Sequence, residues 1–190
     1  MNAQDPQHDP KPPLKLAHLV FKTRDKRRML DWYRTVLAGH IVFENDFIGF
    51  MTYDDEHHRV AVIQDPSLEP PAPRAAGLHH AAFTYADLPT LLATWRRLRD
   101  AGIAHAHAIN HGPTTSIYYA DPDGNRIELQ IDNFASMAEA MDWIASDAFA
   151  ENPIGVDFEP ETLCARLAAG ESLATLTRRP DIGPRGLPRR

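Results

Sequence analysis

Ala17-His18-Leu19-Val20-Phe21-Lys22 returns as His79-His80-Ala81-Ala82-Phe83-Thr84 at an offset of 62 residues, and this repetition decides the fold. Each segment is short, apolar and β-rich, and each leads into a stretch of helical periodicity. In the first repeat, residues 25–37 carry Met29, Leu30, Trp32, Tyr33, Val36 and Leu37 at helical spacing. In the second, residues 88–101 carry Leu91, Leu92, Trp95 and Leu98. Gly39 and Gly102 follow the two helices, where a glycine cap is expected. Three strand-like runs then follow in each half: 41–44, 47–53 and 59–64, then 104–109, 116–120 and 126–131. Asp121-Pro122-Asp123-Gly124-Asn125 makes the turn between the last two.

The chain therefore reads as an α+β protein of two βαβββ repeats, residues 14–65 and 77–132, joined by a Pro-rich linker over 66–76. A four-stranded unit with one helix covers only one face of its sheet, and the duplicate is the natural partner for the other. The expected architecture is a curved eight-stranded sheet with the helices outside and a cleft inside. Residues 133–177 form a C-terminal helical extension, with helices over 134–148 and 160–169. Residues 1–13 are polar and proline-rich and read as a flexible tail. Residues 178–190 hold five Arg against one Asp and read as a second tail, expected to stay in solvent rather than to clasp an acidic surface.

Composition excludes several function classes. A net charge of −6 over 190 residues argues against a nucleic-acid partner. One cysteine excludes a disulfide framework and any cysteine-ligated zinc or iron–sulfur site, and it points to a reducing, cytoplasmic setting. No apolar run approaches the ~18 residues of a membrane span, and the N-terminus lacks the apolar core of a signal peptide. What stands out is histidine: ten residues, four of them in the adjacent pairs 57–58 and 79–80.

Side chains alternate across a strand, so only one member of each pair faces the cleft. In Arg126-Ile127-Glu128-Leu129-Gln130-Ile131 the apolar residues share the helix-facing side, which turns Glu128 towards the cleft. A carboxylate between Ile127 and Leu129 calls for a cationic partner. His18 and His80 occupy equivalent places in the two repeats, and near-symmetric halves bring their first strands together. Two imidazoles and Glu128 make a 2-His-1-carboxylate set, which leaves three positions open on Fe(II). The bland alternative, a solvated edge glutamate and two unrelated strand histidines, is weakened by the repeat equivalence. His57 and His79 are expected to point away from the metal, and Tyr119 away from Tyr118. His105 and His107 are expected on the exposed face of an outer strand, and Cys164 in helix packing.

Ile109-Asn110-His111, Ile117-Tyr118, Asp121-Pro122-Asp123-Gly124 and Glu128, at these spacings, resemble the signature of type I extradiol ring-cleavage dioxygenases of the vicinal oxygen chelate superfamily. Gly77-Leu78-His79-His80-Ala81-Ala82-Phe83 is similar to that family's second-ligand strand, and His57-His58-Arg59-Val60-Ala61 to the strand bearing its acid–base histidine. The resemblance covers residues 14–132, and the chain is about the length of the small, single-domain members associated with biphenyl-2,3-diol-type substrates, without the extra N-terminal pair of repeats of the larger ones. It implies Fe(II), or alternatively Mn(II), held by His18, His80 and Glu128. It implies His58 as the acid–base residue, with His111 and Tyr118 hydrogen-bonding the substrate and oxygen-derived species. The implied partners are a catechol and O2, in a homo-oligomer with no membrane or nucleic-acid partner. A glyoxalase-type lyase or isomerase is the alternative enzyme, but it wants a fourth protein ligand from the end strand of the first repeat. Arg59-Val60-Ala61-Val62-Ile63-Gln64 has no carboxylate to offer. A non-enzymatic small-molecule binder of the same superfamily would not need the metal triad.

Overall fold

The computed structural model describes residues 11–69 and 76–186. The first ten residues of the N-terminal tail, residues 70–75 of the linker and the last four residues lie outside the described part. The chain forms two compact units, residues 1–68 and 69–190.

The first unit runs β1 (Leu19–Thr23), α1 (Lys26–Leu37), β2 (His40–Glu44), β3 (Ile48–Thr52) and β4 (Val60–Gln64). Its sheet has the order β1-β4-β3-β2, with β1 parallel to β4 and the other pairs antiparallel. Asp25 starts α1 by accepting the Arg28 backbone N–H at 3.0 Å, which satisfies an otherwise orphaned donor. The helix then buries Met29, Leu30, Tyr33 and Val36 completely. The cap expected at Gly39 sits elsewhere. Ala38 takes the left-handed conformation (φ 52°), and Gly39 is needed because a Cβ there would overlap the Thr52 carbonyl oxygen. Here the close approach of the helix exit to β3, not backbone handedness, demands the glycine.

The second unit repeats the order with β5 (Ala81–Thr84), α2 (Leu88–Asp100), β6 (His107–Asn110), β7 (Thr114–Ala120) and β8 (Arg126–Asp132). Asp87 caps α2 through the Thr90 N–H at 2.8 Å. Leu88, Leu91, Leu92 and Leu98 of α2 join Ile127 and Leu129 of β8 in the core. Gly102, at φ 77°, ends the helix as expected. The extension adds α3 (Met137–Ile144), α4 (Asp147–Glu151), β9 (Val156–Asp157), α5 (Pro160–Ala168) and α6 (Leu173–Thr177). The helix expected over 134–148 is divided at Ser146, whose hydroxyl caps α4. Cys164 is a buried free thiol in α5, in keeping with a packing role.

Both βαβββ repeats are thus present, within an α+β fold. Their strands are hydrogen-bonded as two sheets, of four and five strands, instead of one continuous sheet of eight. The first strand of each repeat closes in parallel on its own last strand, so the repeat itself is the hydrogen-bonded unit. The fifth strand of the second sheet, β9, comes from the C-terminal extension and pairs with β6. The Arg-rich tail also departs from expectation. Over its described part it is not left to solvent: Arg179 donates to the carbonyls of Asn152 (2.5 Å) and Ala148 (2.8 Å), and Arg185 to Gly155 (2.9 Å). Loop carbonyls need donors, and a guanidinium supplies several in a fixed fork. Among the described residues, no helix is long and apolar enough to cross a membrane.

Candidate metal and acid–base site

Strand register assembles the second unit's part of the site. His107 of β6 stands opposite Tyr118 of β7, Tyr118 opposite Glu128 of β8, and Glu128 opposite Ala82 of β5. His80 lies two residues before Ala82 and so on the same face. Its Nε2 is 2.9 Å from Glu128 Oε2. His111, at the β6–β7 turn, brings Nε2 to 2.9 Å from the Tyr118 hydroxyl and 4.0 Å from Glu128 Oε1. Glu128 is only 5% exposed, and the groups beside its carboxylate are the imidazoles of His80 and His111.

The local electrostatics set proton positions. Burial first, and then the Glu128 charge, push the Tyr118 hydroxyl far above its ordinary value, so it stays a neutral donor. Burial lowers His111 below its ordinary value, against the opposing pull of the Ile154 carbonyl and Glu128. His111 Nδ1 lies 2.6 Å from the Ile154 carbonyl oxygen, which can only accept. The proton of neutral His111 is therefore on Nδ1, and Nε2 accepts from Tyr118.

In the first unit His18 precedes β1, whose Leu19 N–H donates to the Arg59 carbonyl at 2.9 Å. The Arg59 guanidinium donates to the Leu16 and Ala17 carbonyls at 2.8 and 3.0 Å and grips both oxygens of Asp54. This ties the chain before His18 to the loop before His58. The His18 and His58 rings lie 4.4 Å apart, and His58 stacks on Phe50 at 4.5 Å with 12° between planes. Burial, then neighbouring His18 and His57, hold His58 below its ordinary value. Neutral near pH 7, it is suited to take up a proton.

Two of the three expected ligands, His80 and Glu128, meet in the second unit, while His18 stands beside His58 in the first. Among the described residues no group of three or more His, Cys, Asp or Glu is gathered as a metal cluster. The donor chemistry nevertheless fits a divalent ion: neutral nitrogen and a buried carboxylate oxygen, without sulfur, suit Fe(II) or Mn(II). His57 and His79 each place Nδ1 against the next histidine's Nδ1, at 2.6 and 2.7 Å. Two expectations change. His107 is not on an exposed face; it is half-buried and stacks on Tyr118 at 4.3 Å with 12° between planes. His105 is half-buried too and accepts from Trp95 Nε1 at 3.3 Å. Counting back from the 111–113 turn pairs residue 107 with 118, which is the signal that finds His107 in the sequence. Tyr119 is fully buried, and its hydroxyl is raised by burial and by Tyr85, on the opposite side from Tyr118 as expected.

The family model described as the Glyoxalase/Bleomycin resistance protein/Dioxygenase superfamily matches residues 15–129. The chain belongs to this superfamily. Among curated relatives, this superfamily member is 45% identical over 164 residues to biphenyl-2,3-diol 1,2-dioxygenase 2 of Rhodococcus globerulus, with 86% of each chain covered. It is 42% identical over 167 residues to biphenyl-2,3-diol 1,2-dioxygenase 3 of the same organism, covering 87% of this chain and 88% of the relative. A solved glyoxylase/bleomycin resistance protein/dioxygenase domain from Frankia sp. EAN1pec shares the fold, with a TM-score of 0.55 at 16% identity over 66% of this chain and 96% of that one.

Proposed function

We propose that this superfamily member is an extradiol dioxygenase that opens a catechol-type ring with both atoms of O2, and that 2,3-dihydroxybiphenyl is within its substrate range. The observation that carries this reading is the buried Glu128 held against His80, beside the hydrogen-bonded His111–Tyr118 pair. The two curated relatives, named for biphenyl-2,3-diol, support the substrate class.

In this reading His18, His80 and Glu128 would be the ligands to Fe(II); Mn(II) suits the same donor types. The ion, when bound, lets the ring and O2 react by bringing both to one redox-active centre. The other roles belong to the chain. His58, kept neutral by burial, would take a proton from a catechol hydroxyl and give it back to an oxygen of the opening ring. Tyr118 is kept protonated, and its hydroxyl can turn its one proton from His111 Nε2 to oxyanion character that develops beside it. Phe50 supplies a flat apolar support against which His58 is stacked.

The glyoxalase-type alternative is disfavoured by register. Val20 pairs with Ala61 in the first unit as Ala82 pairs with Glu128 in the second. The place where the first repeat would offer another carboxylate therefore holds a methyl group. A cytoplasmic location belongs to the same reading, on the single cysteine. So does a homo-oligomer, supported by exposed Met137, Met141 and Ile144 along one helix, α3.

The test is anaerobic reconstitution with Fe(II), followed by 2,3-dihydroxybiphenyl and O2. A yellow ring-fission product with equimolar O2 uptake is expected. No colour and no O2 uptake across a panel of catechols overturns the proposal.

A further inference from the structure

The C-terminal extension reaches the His111 ring through the carbonyl oxygen of Ile154 and the His111 backbone through Arg179, which donates to its carbonyl oxygen at 3.4 Å. The Ile154 oxygen receives the Nδ1 proton of His111 and thereby leaves Nε2 as the acceptor facing Tyr118. The Tyr118 hydroxyl could accept from the opposite tautomer as readily as it donates to this one, so the carbonyl decides: Nδ1 without a proton would leave two acceptors face to face. The tautomer of His111 thus depends on where a loop backbone is held, outside the βαβββ repeat.

That loop is fixed from several directions. Asn152, 3% exposed, accepts the Gly155 N–H at 2.7 Å and donates to the Gly155 carbonyl at 3.2 Å, closing residues 152–155 into a tight turn. Gly155 has φ 103°, and a Cβ there would overlap the Asn110 carbonyl, so the loop lies directly on the strand end next to His111. Val156 and Asp157 continue as β9 along β6. Two arginines close the arrangement from the tail. Arg179 donates to the Asn152 carbonyl at 2.5 Å and the Ala148 carbonyl at 2.8 Å, and lies 5.0 Å above the Trp143 ring. Arg185 donates to the Gly155 carbonyl at 2.9 Å and pairs with Asp157 at 2.8 Å. The carbonyls they hold, those of Asn152 and Gly155, bracket Ile154 in sequence.

We propose that Arg179 and Arg185 are positioning residues: they clamp the 152–157 loop so that the Ile154 carbonyl fixes His111 in its Nδ1-protonated form. This deepens the dioxygenase reading and rests on it for the role of His111, whereas the clamp itself is a statement about the folded chain. It gives the Arg-rich tail a function within its own subunit. A planar, multiply donating side chain is suited to this task, since it satisfies two carbonyls at once and stacks on an indole.

The test combines the unmodified full-length chain with the double variant Arg179→Met/Arg185→Met. In the metal-free protein, 15N correlation spectra of the His111 ring are expected to show protonated Nδ1 in the natural sequence. The double variant is expected to show a mixture of tautomers. With iron loaded, kcat for the catechol should fall about 10-fold, within the range for loss of an outer hydrogen-bonding partner, while KM changes less than about 2-fold. Arg179→Lys should recover only part of kcat, because a point donor cannot replace the fork. An Nε2-protonated His111 in the natural sequence overturns the proposal, whether or not any variant folds. So does a folded double variant whose His111 spectrum is unchanged. The ring spectra need no turnover, so failure of the dioxygenase assay is distinguishable from failure of the clamp.

Discussion

Glu128 and Tyr118 stand directly opposite one another across the antiparallel β7–β8 ladder, and a single row of the sheet thereby joins the buried carboxylate to the phenol that His111 engages. The row extends to His107 on one side and Ala82 on the other. Tyr118 and Glu128 are on this row, with His80 two residues before Ala82 and His111 in the turn after β6, so the centre of the site inherits the rigidity of the sheet.

Replacing Glu128 with Gln should leave His80 facing a neutral amide. The fold should persist, since the amide still fills the volume and still hydrogen-bonds. Iron retained after reconstitution and desalting should drop at least about 10-fold, read by metal analysis, and ring cleavage should vanish with it. Full iron stoichiometry in this variant would remove Glu128 from the ligand set.

His58→Gln separates proton handling from metal binding. It should bind iron and catechol as the natural sequence does and lose about 10²–10⁴-fold in kcat, the usual range for a general acid–base group. Unchanged turnover would take His58 out of the mechanism.

Tyr118→Phe removes one hydroxyl from a packed position. His107 can still stack on the ring, so the melting temperature should move little, but kcat should fall about 10–100-fold as the oxyanion donor is lost. Stopped-flow single turnovers would locate the loss in the chemical step.

The Asp54–Arg59 pair gives a pH prediction. Arg59's hydrogen bonds hold the Asp54 carboxyl below its ordinary value. A depressed folded value means the contribution is fully present above the ordinary carboxylate range and is lost as pH falls through the lower, folded value. Carboxyl 13C titration should place the Asp54 midpoint below that of exposed aspartates. Asp54→Asn should erase this acid-side dependence and loosen the His57–His58 loop, visible as faster amide exchange.

Gly39→Ala tests the close approach behind α1. The added methyl meets the Thr52 carbonyl and the end of Met51. A loss of about 1–3 kcal/mol in denaturant unfolding is expected for such overpacking. A stability equal to that of the natural sequence would show that the helix exit can shift.

The repeat at offset 62, the helical spacing of Met29, Tyr33 and Leu92, and the position of Glu128 between two core residues were all legible in the sequence. Each is a local periodicity with one physical reading, because strands alternate at two and helices turn at 3.6 residues. The glycine after α1 misled because a glycine serves equally for positive φ and for close approach, and only packing against Thr52 distinguishes them.

What the sequence determined by itself is therefore the repeat architecture and the face on which Glu128 and Tyr118 lie. The side-chain types available to a site there, imidazole and carboxylate with a single cysteine in the chain, are read from it as well. The tertiary structure decided which histidines share space. His107 reached Tyr118 through cross-strand register, and the Ile154 carbonyl came to His111 from 43 residues away. These are contacts between segments whose mutual placement depends on the folded backbone. No local pattern encodes them, because the energy of each is realised only once both segments are held in place.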